Sequence, residues 1–385
     1  MKKHIIMLFG LLCAVSFEAQ AQDNLVAKTQ GGAGADSSKF TFTHQKQIPH
    51  TPVKNQASSS TCWSYSGLSV IETEAMRLGK GTLDLAEMYV VRKVWQDKAL
   101  RYVRMQGSNT FAPGAEGPDV LDVIRKYGIV PQEVYPGLIQ GEELNNHNEM
   151  DRALTEYIKG VVRSRVIRGD WMEGFNGILD RYLGPEPKEF TYNGKIYTPR
   201  TFADEVVGVN PLDYVYITSW THLPYYEKSH LLVPDNWAWE SFYNVKLDEM
   251  MSVIDNAIEK GYSVLWAADV SERGFSSRTG LAIVPADDKD KDIFDGPKEE
   301  KVITESMRQK GFDDYSTQDD HGMELVGTTQ DQSGKKYYIV KNSWGTTRGR
   351  DGGYIYASVP YVQLKTISII VHRDAVPEEI LSKLK

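Results

Sequence analysis

The chain has 385 residues, 41% of them hydrophobic and 25% charged, with a formal net charge of −8. Such a length buries a substantial core without a disulfide or metal staple, and fits two or three domains or one domain with large insertions. The acidic balance, with no block of basic residues, argues against nucleic acid or an anionic membrane surface as the main partner.

The opening stretch, MKKHIIMLFGLLCAVSFEAQAQ, begins with Lys2 and Lys3, runs apolar from Ile5 to Phe17 and closes on Ala19-Gln20-Ala21. That pattern predicts a secretory signal peptide over residues 1–21, with a run too short for a membrane span. A lipid anchor at Cys13 is disfavoured, because Leu11-Leu12 lacks the small residues such processing needs. No later stretch approaches the ~20 apolar residues of a spanning helix. The expected product is exported, periplasmic or secreted. Loss of Cys13 with the leader leaves Cys62 as its one cysteine. A lone thiol in an exported protein is a partner for another chain, a buried bystander or a reactive group.

Residues 22–40, polar and small around Gly31-Gly32-Ala33-Gly34, predict a flexible lead-in. From Trp63 to Leu78 the pattern is helical: Leu68, Ile71, Ala75 and Leu78 share one face, Met76 widens it, and Gly79 stops it. Helical patterns follow at 84–95, 118–127 and 150–169. Pro185, Pro187, Pro199 and Pro211 then punctuate a loop-rich stretch over 184–212. An amphipathic helix is predicted over 247–260, stopped by Gly261, and YSVLWAA (262–268) reads as a buried strand. A charged linker (286–301) leads to four strands: MELVGTT, KKYYIVKNS, GYIYASV and ISIIVHR. A helical first part followed by a small sheet domain is an α+β pattern.

Cys62 stands at the start of the first strong helix, where backbone N–H groups and the helix dipole favour an anion, so a depressed thiol pKa is expected. Gln56 lies six residues earlier; its side-chain N–H₂ and the Cys62 backbone N–H can point at one spot and bind an oxyanion. His321 opens the first strand of the sheet domain, where an imidazole can face a cleft and accept the thiol proton. Asn342 comes 21 residues on, at the end of the second strand. Adjacent antiparallel strands would set its oxygen beside His321, with Trp344 covering the contact. His222 and His230, with no acidic cluster at ligand spacing, make a poor metal site, and no metal or organic cofactor is expected.

Gln56…Cys62-Trp63, then His321, then Asn342-Ser343-Trp344-Gly345 resemble the papain-like cysteine peptidases in order and local spacing. The resemblance implies a two-lobe fold, a helical lobe plus a small antiparallel β-barrel-like lobe, here a peptidase domain over 41–385 with a long insertion at about 130–300. It implies peptide substrates, with Cys62 as nucleophile, His321 as general base and acid, Asn342 orienting His321, Gln56 as oxyanion donor, and Trp63 and Trp344 in support. The chain is similar to one branch in particular, bleomycin hydrolase or aminopeptidase C, through YGIVPQEVYPG (127–137), TPRTF (198–202), NPLDYVYITS (210–219) and VPEEIL (376–381). That branch implies an aminopeptidase, a homo-hexamer with inward-facing sites, a glycine pair along the substrate strand (here Gly114-Ala115), and a C-terminal carboxylate that binds the substrate's amino group. Lys385 is the residue in position to provide it.

The chain departs from the family at Ser60, where glycine is usual, and in ending four residues after Leu381. The short tail keeps a second reading open, an endopeptidase or dipeptidyl peptidase with an open cleft. A third is an inactive peptide-binding protein on the same fold. A glutamine amidotransferase would need a strand leading into the nucleophile, and TPVKNQASSST is a poor strand.

Overall fold

The computed structural model describes residues 38–138, 141–164, 166–347 and 350–385, so residues 1–21 and most of the expected lead-in lie outside the described residues. In chain order the elements are β1 (Phe42–Gln47), α1 (Cys62–Arg77), α2 (Glu87–Arg104), α3 (Gly117–Tyr127), α4 (Asn148–Arg163), α5 (Trp171–Leu183), β2 (Phe190–Tyr192), β3 (Lys195–Tyr197) and α6 (Pro199–Phe202). Then follow β4 (Tyr214–Thr218), β5 (Lys228–His230), β6 (Ser241–Asn244), α7 (Leu247–Lys260), β7 (Val264–Ala268), β8 (Phe275–Ser276), β9 (Leu281–Ala282) and α8 (Glu305–Asp313). The chain closes with β10 (His321–Asp331), β11 (Lys336–Lys341), β12 (Tyr354–Ser358), α9 (Val359–Lys365), β13 (Thr366–His372) and α10 (Glu378–Leu381).

Helix α1 is the spine. Its apolar face, Leu68, Ile71 and Ala75, is fully buried in the helical-lobe core with Val90, Val94, Val120 and Ile124. Each leucine, isoleucine or valine among them contributes about 2 kcal/mol of burial free energy. The other faces carry small residues, which let neighbours come close. A Cβ on Gly67 would fall 2.5 Å from Val120 of α3, and one on Gly322 of β10 would fall 2.7 Å from the Ser66 hydroxyl. The helix is therefore clamped between α3 and the head of β10. The buried Glu72 of α1 accepts from Thr51 Oγ1, Lys54 Nζ and the Leu85 amide, and Lys341 of β11 donates to Thr51 and Ser69. These charges are paired across the lobe seam, which is what their burial requires.

Eleven strands form one sheet in the order β5-β6-β4-β13-β7-β10-β11-β12-β9-β8, with β1 on the far half of β10. Most pairs are antiparallel, but β4/β6 and β9/β12 are parallel. The sheet is larger than the four-strand lobe expected from the sequence. β4 to β9 all fall within the stretch read as an insertion; β7 enters the sheet between β13 and β10, and the others extend both edges.

Two helices differ from expectation. The second runs on to Arg104 because its buried face continues through Trp95, Lys98 and Ala99; Lys98 is buried, donating to the Ala112 carbonyl at 2.7 Å and to the Gly114 carbonyl. The fourth stops at Arg163, where Ser164 turns to extended backbone. The stretch read as loop-rich contains the β2–β3 hairpin and α6.

Candidate active site

The loop leading into α1 is pinned on both sides. Gln56 N donates to Ser343 O (2.8 Å) and Gly345 N to Lys54 O (3.0 Å), while Ser58 N donates to Asn145 O and His147 N to Ser58 O. Within the loop, Ser59 Oγ donates to Gln56 O. Ala57 and Ser60 take φ of 48° and 55°, the left-handed region that favours glycine and costs other residues about 1 kcal/mol each. Serine at position 60 thus adopts a backbone suited to glycine, at a cost in strain. The buried Gln56 amide accepts from Ser343 Oγ through Oε1 (2.7 Å), which turns its Nε2 donors away from Ser343. Cys62 is the first residue of α1, where a backbone N–H has no intrahelical acceptor.

His321 is the first residue of β10, paired with Ala268 of β7, and Asn342 follows directly on β11. The two neighbouring strands bring His321 Nε2 within 2.7 Å of Asn342 Oδ1, and the Asn342 oxygen also accepts from Ser343 N. An imidazole that donates Nε2–H to an amide oxygen presents its bare Nδ1 on the opposite edge. The Trp344 ring lies over His321 with centroids 4.6 Å apart. Gly322, next in the chain, packs on Trp63 Cα and the Cys62 carbonyl, so β10 delivers His321 to the first turn of α1.

The electrostatics correct one expectation. Burial pushes the Cys62 thiol up to about 12, against the Gly322 and Trp63 N–H groups, which hydrogen-bond to the sulfur; the Asp235 and Asp319 carboxylates add to the rise. Burial likewise pushes His321 down to about 4, against the pull of Asn342. Only 5% of Cys62 is exposed, and desolvation at that depth outweighs the helix terminus that the sequence pointed to. Burial therefore moves both groups toward their neutral forms, against the depressed thiol pKa expected from the helix start.

On the other side of the nucleophile, Trp63 Nε1 donates to Pro113 O (3.2 Å), and Lys98 holds the Ala112 and Gly114 carbonyls. Gly114 and the buried Ala115 thus line the wall beside Trp63. The Asp235 carboxylate lies flat on Gly114, where a Cβ would fall 2.0 Å from Oδ2. Glu116 is raised well above the usual carboxyl range, by burial first and then by Asp319, to which it is hydrogen-bonded. None of Asp235, Glu116 and Asp319 was singled out from the sequence. Asp319 stands two residues before His321, which was the one signal within reach.

Lys385 is not brought to this site. Its amide donates to Tyr226 O and its Nζ lies 3.6 Å from Glu227, while Lys383 pairs with Glu249. Ile380, Leu381 and Leu384 pack on the sheet-lobe core, which seats the tail at the β5 edge with four strands between it and β10. His222 bonds Gln309 and His230 bonds Ser241, in separate places.

A model of the Peptidase C1-like family matches residues 184–385, more than half of the chain. Aminopeptidase C from Lactococcus lactis subsp. cremoris is 24% identical over 416 residues, spanning 96% of this chain and 92% of the relative. Bleomycin hydrolase from Homo sapiens is 22% identical, spanning 92% of this chain and 87% of the relative. Among solved structures, PepW from Lactobacillus rhamnosis superposes with a TM-score of 0.69 at 20% identity, covering 94% of this chain and 90% of its own, a likeness of fold. The chain belongs to the Peptidase C1-like family.

Proposed function

We propose that this member of the Peptidase C1-like family is a cysteine aminopeptidase of the bleomycin hydrolase type, cutting peptides from a free N-terminus. Its relatives named aminopeptidase C and bleomycin hydrolase align over nearly their whole length, which supports the activity. The observation that carries the chemistry is the 2.7 Å contact between His321 Nε2 and Asn342 Oδ1, held beside the first turn of α1. In this reading His321 Nδ1 takes the proton from Cys62 Sγ as the sulfur attacks the scissile carbonyl carbon. The tetrahedral oxyanion is met by Gln56 Nε2 and the Cys62 backbone N–H. His321 passes its proton to the leaving amine, the C–N bond breaks, and a thioester remains on Cys62. Water, deprotonated by His321, then attacks the thioester and frees the acid, and the thiol is restored. Because burial disfavours both the thiolate and the imidazolium, proton transfer accompanies the attack.

The location of Lys385 at the β5 edge favours a second reading, an endopeptidase or dipeptidyl peptidase. Matched peptides with free and acetylated N-termini separate the two. Cleavage confined to free termini supports the aminopeptidase, and equal cleavage of both overturns it. Action outside the cytoplasm is supported by the leader-like residues 1–21, and a homo-hexamer by the resemblance to the bleomycin hydrolase branch. Cell fractionation tests the first and light scattering the second.

A further inference from the structure

Removal of a single N-terminal residue makes a geometric demand. The substrate's α-ammonium is two covalent bonds from the carbonyl carbon that Cys62 attacks, so a counter-charge for it must stand beside the nucleophile. The carboxylates whose charges act on the Cys62 thiol are those of Asp235 and Asp319. Asp319 is hydrogen-bonded to Glu116, and burial raises both carboxyls above their usual range. Asp235 is half-buried and lies against Gly114, on the wall that Trp63 touches through Pro113.

The loop that presents Asp235 is rigid. The buried Asn236 side chain donates to Leu231 O (2.8 Å) and Glu240 O (2.9 Å) and accepts from Glu240 N (2.8 Å). Arg101 of α2 donates to Ala238 O, and Trp237 is buried in the helical-lobe core. An anchor fixed this way costs little ordering when it binds. The same corner leaves Glu116 Oε1 buried without a hydrogen-bond partner. A carboxylate and an unmet acceptor are groups that an ammonium with three N–H donors can satisfy.

We propose that Asp235 is the specificity-determining residue that receives the free α-ammonium of the peptide substrate beside Cys62. The proposal rests on the aminopeptidase reading and deepens it. Its contact with Gly114 also closes the wall on which a longer N-terminal extension would run. Arrival of the ammonium neutralises one of the two charges that disfavour the Cys62 thiolate, so the correct substrate eases its own activation.

The test compares hydrolysis of alanyl- and N-acetylalanyl-7-amido-4-methylcoumarin by the wild-type enzyme and Asp235→Asn. The expected result is that the free-over-acetylated ratio of kcat/KM falls by about 10²-fold, the effect of truncating one partner of a hydrogen-bonded charge pair. An unchanged ratio in Asp235→Asn overturns the proposal and leaves the aminopeptidase reading standing. A wild-type enzyme that takes both substrates equally overturns that reading, and the proposal with it. Gly114→Ala is the second variant, since its Cβ would displace the Asp235 carboxylate. It is expected to lower the same ratio, and it decides the matter if Asp235→Asn does not fold, as reported by alkylation of Cys62 with iodoacetamide.

Discussion

The two walls of the cleft flank the same sulfur and are built on opposite principles. On the sheet side, His321 opens β10 while Asn342 and Trp344 follow β11, hydrogen-bonded and ring-stacked, and burial disfavours the imidazolium. On the other side, Asp235 lies on Gly114 and Glu116 is hydrogen-bonded to Asp319, and burial raises the Glu116 carboxyl well above its usual range. Desolvation thus acts on both walls in the same way, disfavouring charge, yet leaves a base on one and an acid cluster on the other. In the proposed reading the walls divide the work: one moves protons, the other reads the charge of what enters.

The comparison breaks most completely at the proton-moving wall. His321→Ala is expected to lower kcat/KM by at least about 10⁴-fold on a free-amine peptide while leaving the fold intact, as seen by near-UV circular dichroism. At the loop between the walls, Gln56→Ala removes one oxyanion donor and is expected to cost about 10²–10³-fold in kcat, with a smaller change in KM.

A change of pH sharpens the contrast. Glu87 and Asp119 are raised from 4.5 and 3.8 to about 7, chiefly by burial. Between those limits the folded state binds more protons than the unfolded one, so their stabilisation is lost as pH rises through about 7. His321 and His147, lowered by burial from 6.5 to about 4, act with the opposite sign, but most of their contribution is in place by pH 6.5. From pH 6.5 to 8 the acids outweigh them and set the slope. The Tm is expected to fall by about 2–5 °C, and Glu116→Gln, which holds that position neutral, is expected to flatten the decline in calorimetry. The smallest effect is at the strained turn. Ser60→Gly relieves a φ of 55° and is expected to raise stability by about 1 kcal/mol in urea unfolding.

The sheet-side wall was legible because its residues mark element boundaries: His321 opens a strand, Asn342 ends the next, and Cys62 starts a helix. Ser60 was visible as a departure, and its left-handed backbone explains why glycine is the natural choice there. The helical-side wall was hidden. Lys98 was not singled out from the sequence, yet its buried ammonium shapes the Ala112–Gly114 turn. Asp235 lies in a segment with no periodicity, and only tertiary packing sets it on Gly114, more than 100 residues earlier in the chain. The depressed thiol pKa was expected from local helix geometry, and depth of burial, a property of the whole fold, reversed it. The extra strands were missed for a related reason: β5, β6, β8 and β9 have at most four residues each, too short for an alternation pattern to show.

The central claim is that Cys62 is the nucleophile of a free-amine peptidase. Mass spectrometry of the enzyme after one equivalent of a peptidyl epoxide, with cleavage of alanyl-7-amido-4-methylcoumarin followed in parallel, tests it most directly. The account predicts a single adduct on Cys62 whose extent matches the loss of activity. Cleavage that persists when Cys62 is fully labelled, or an adduct elsewhere that abolishes it, would contradict the account.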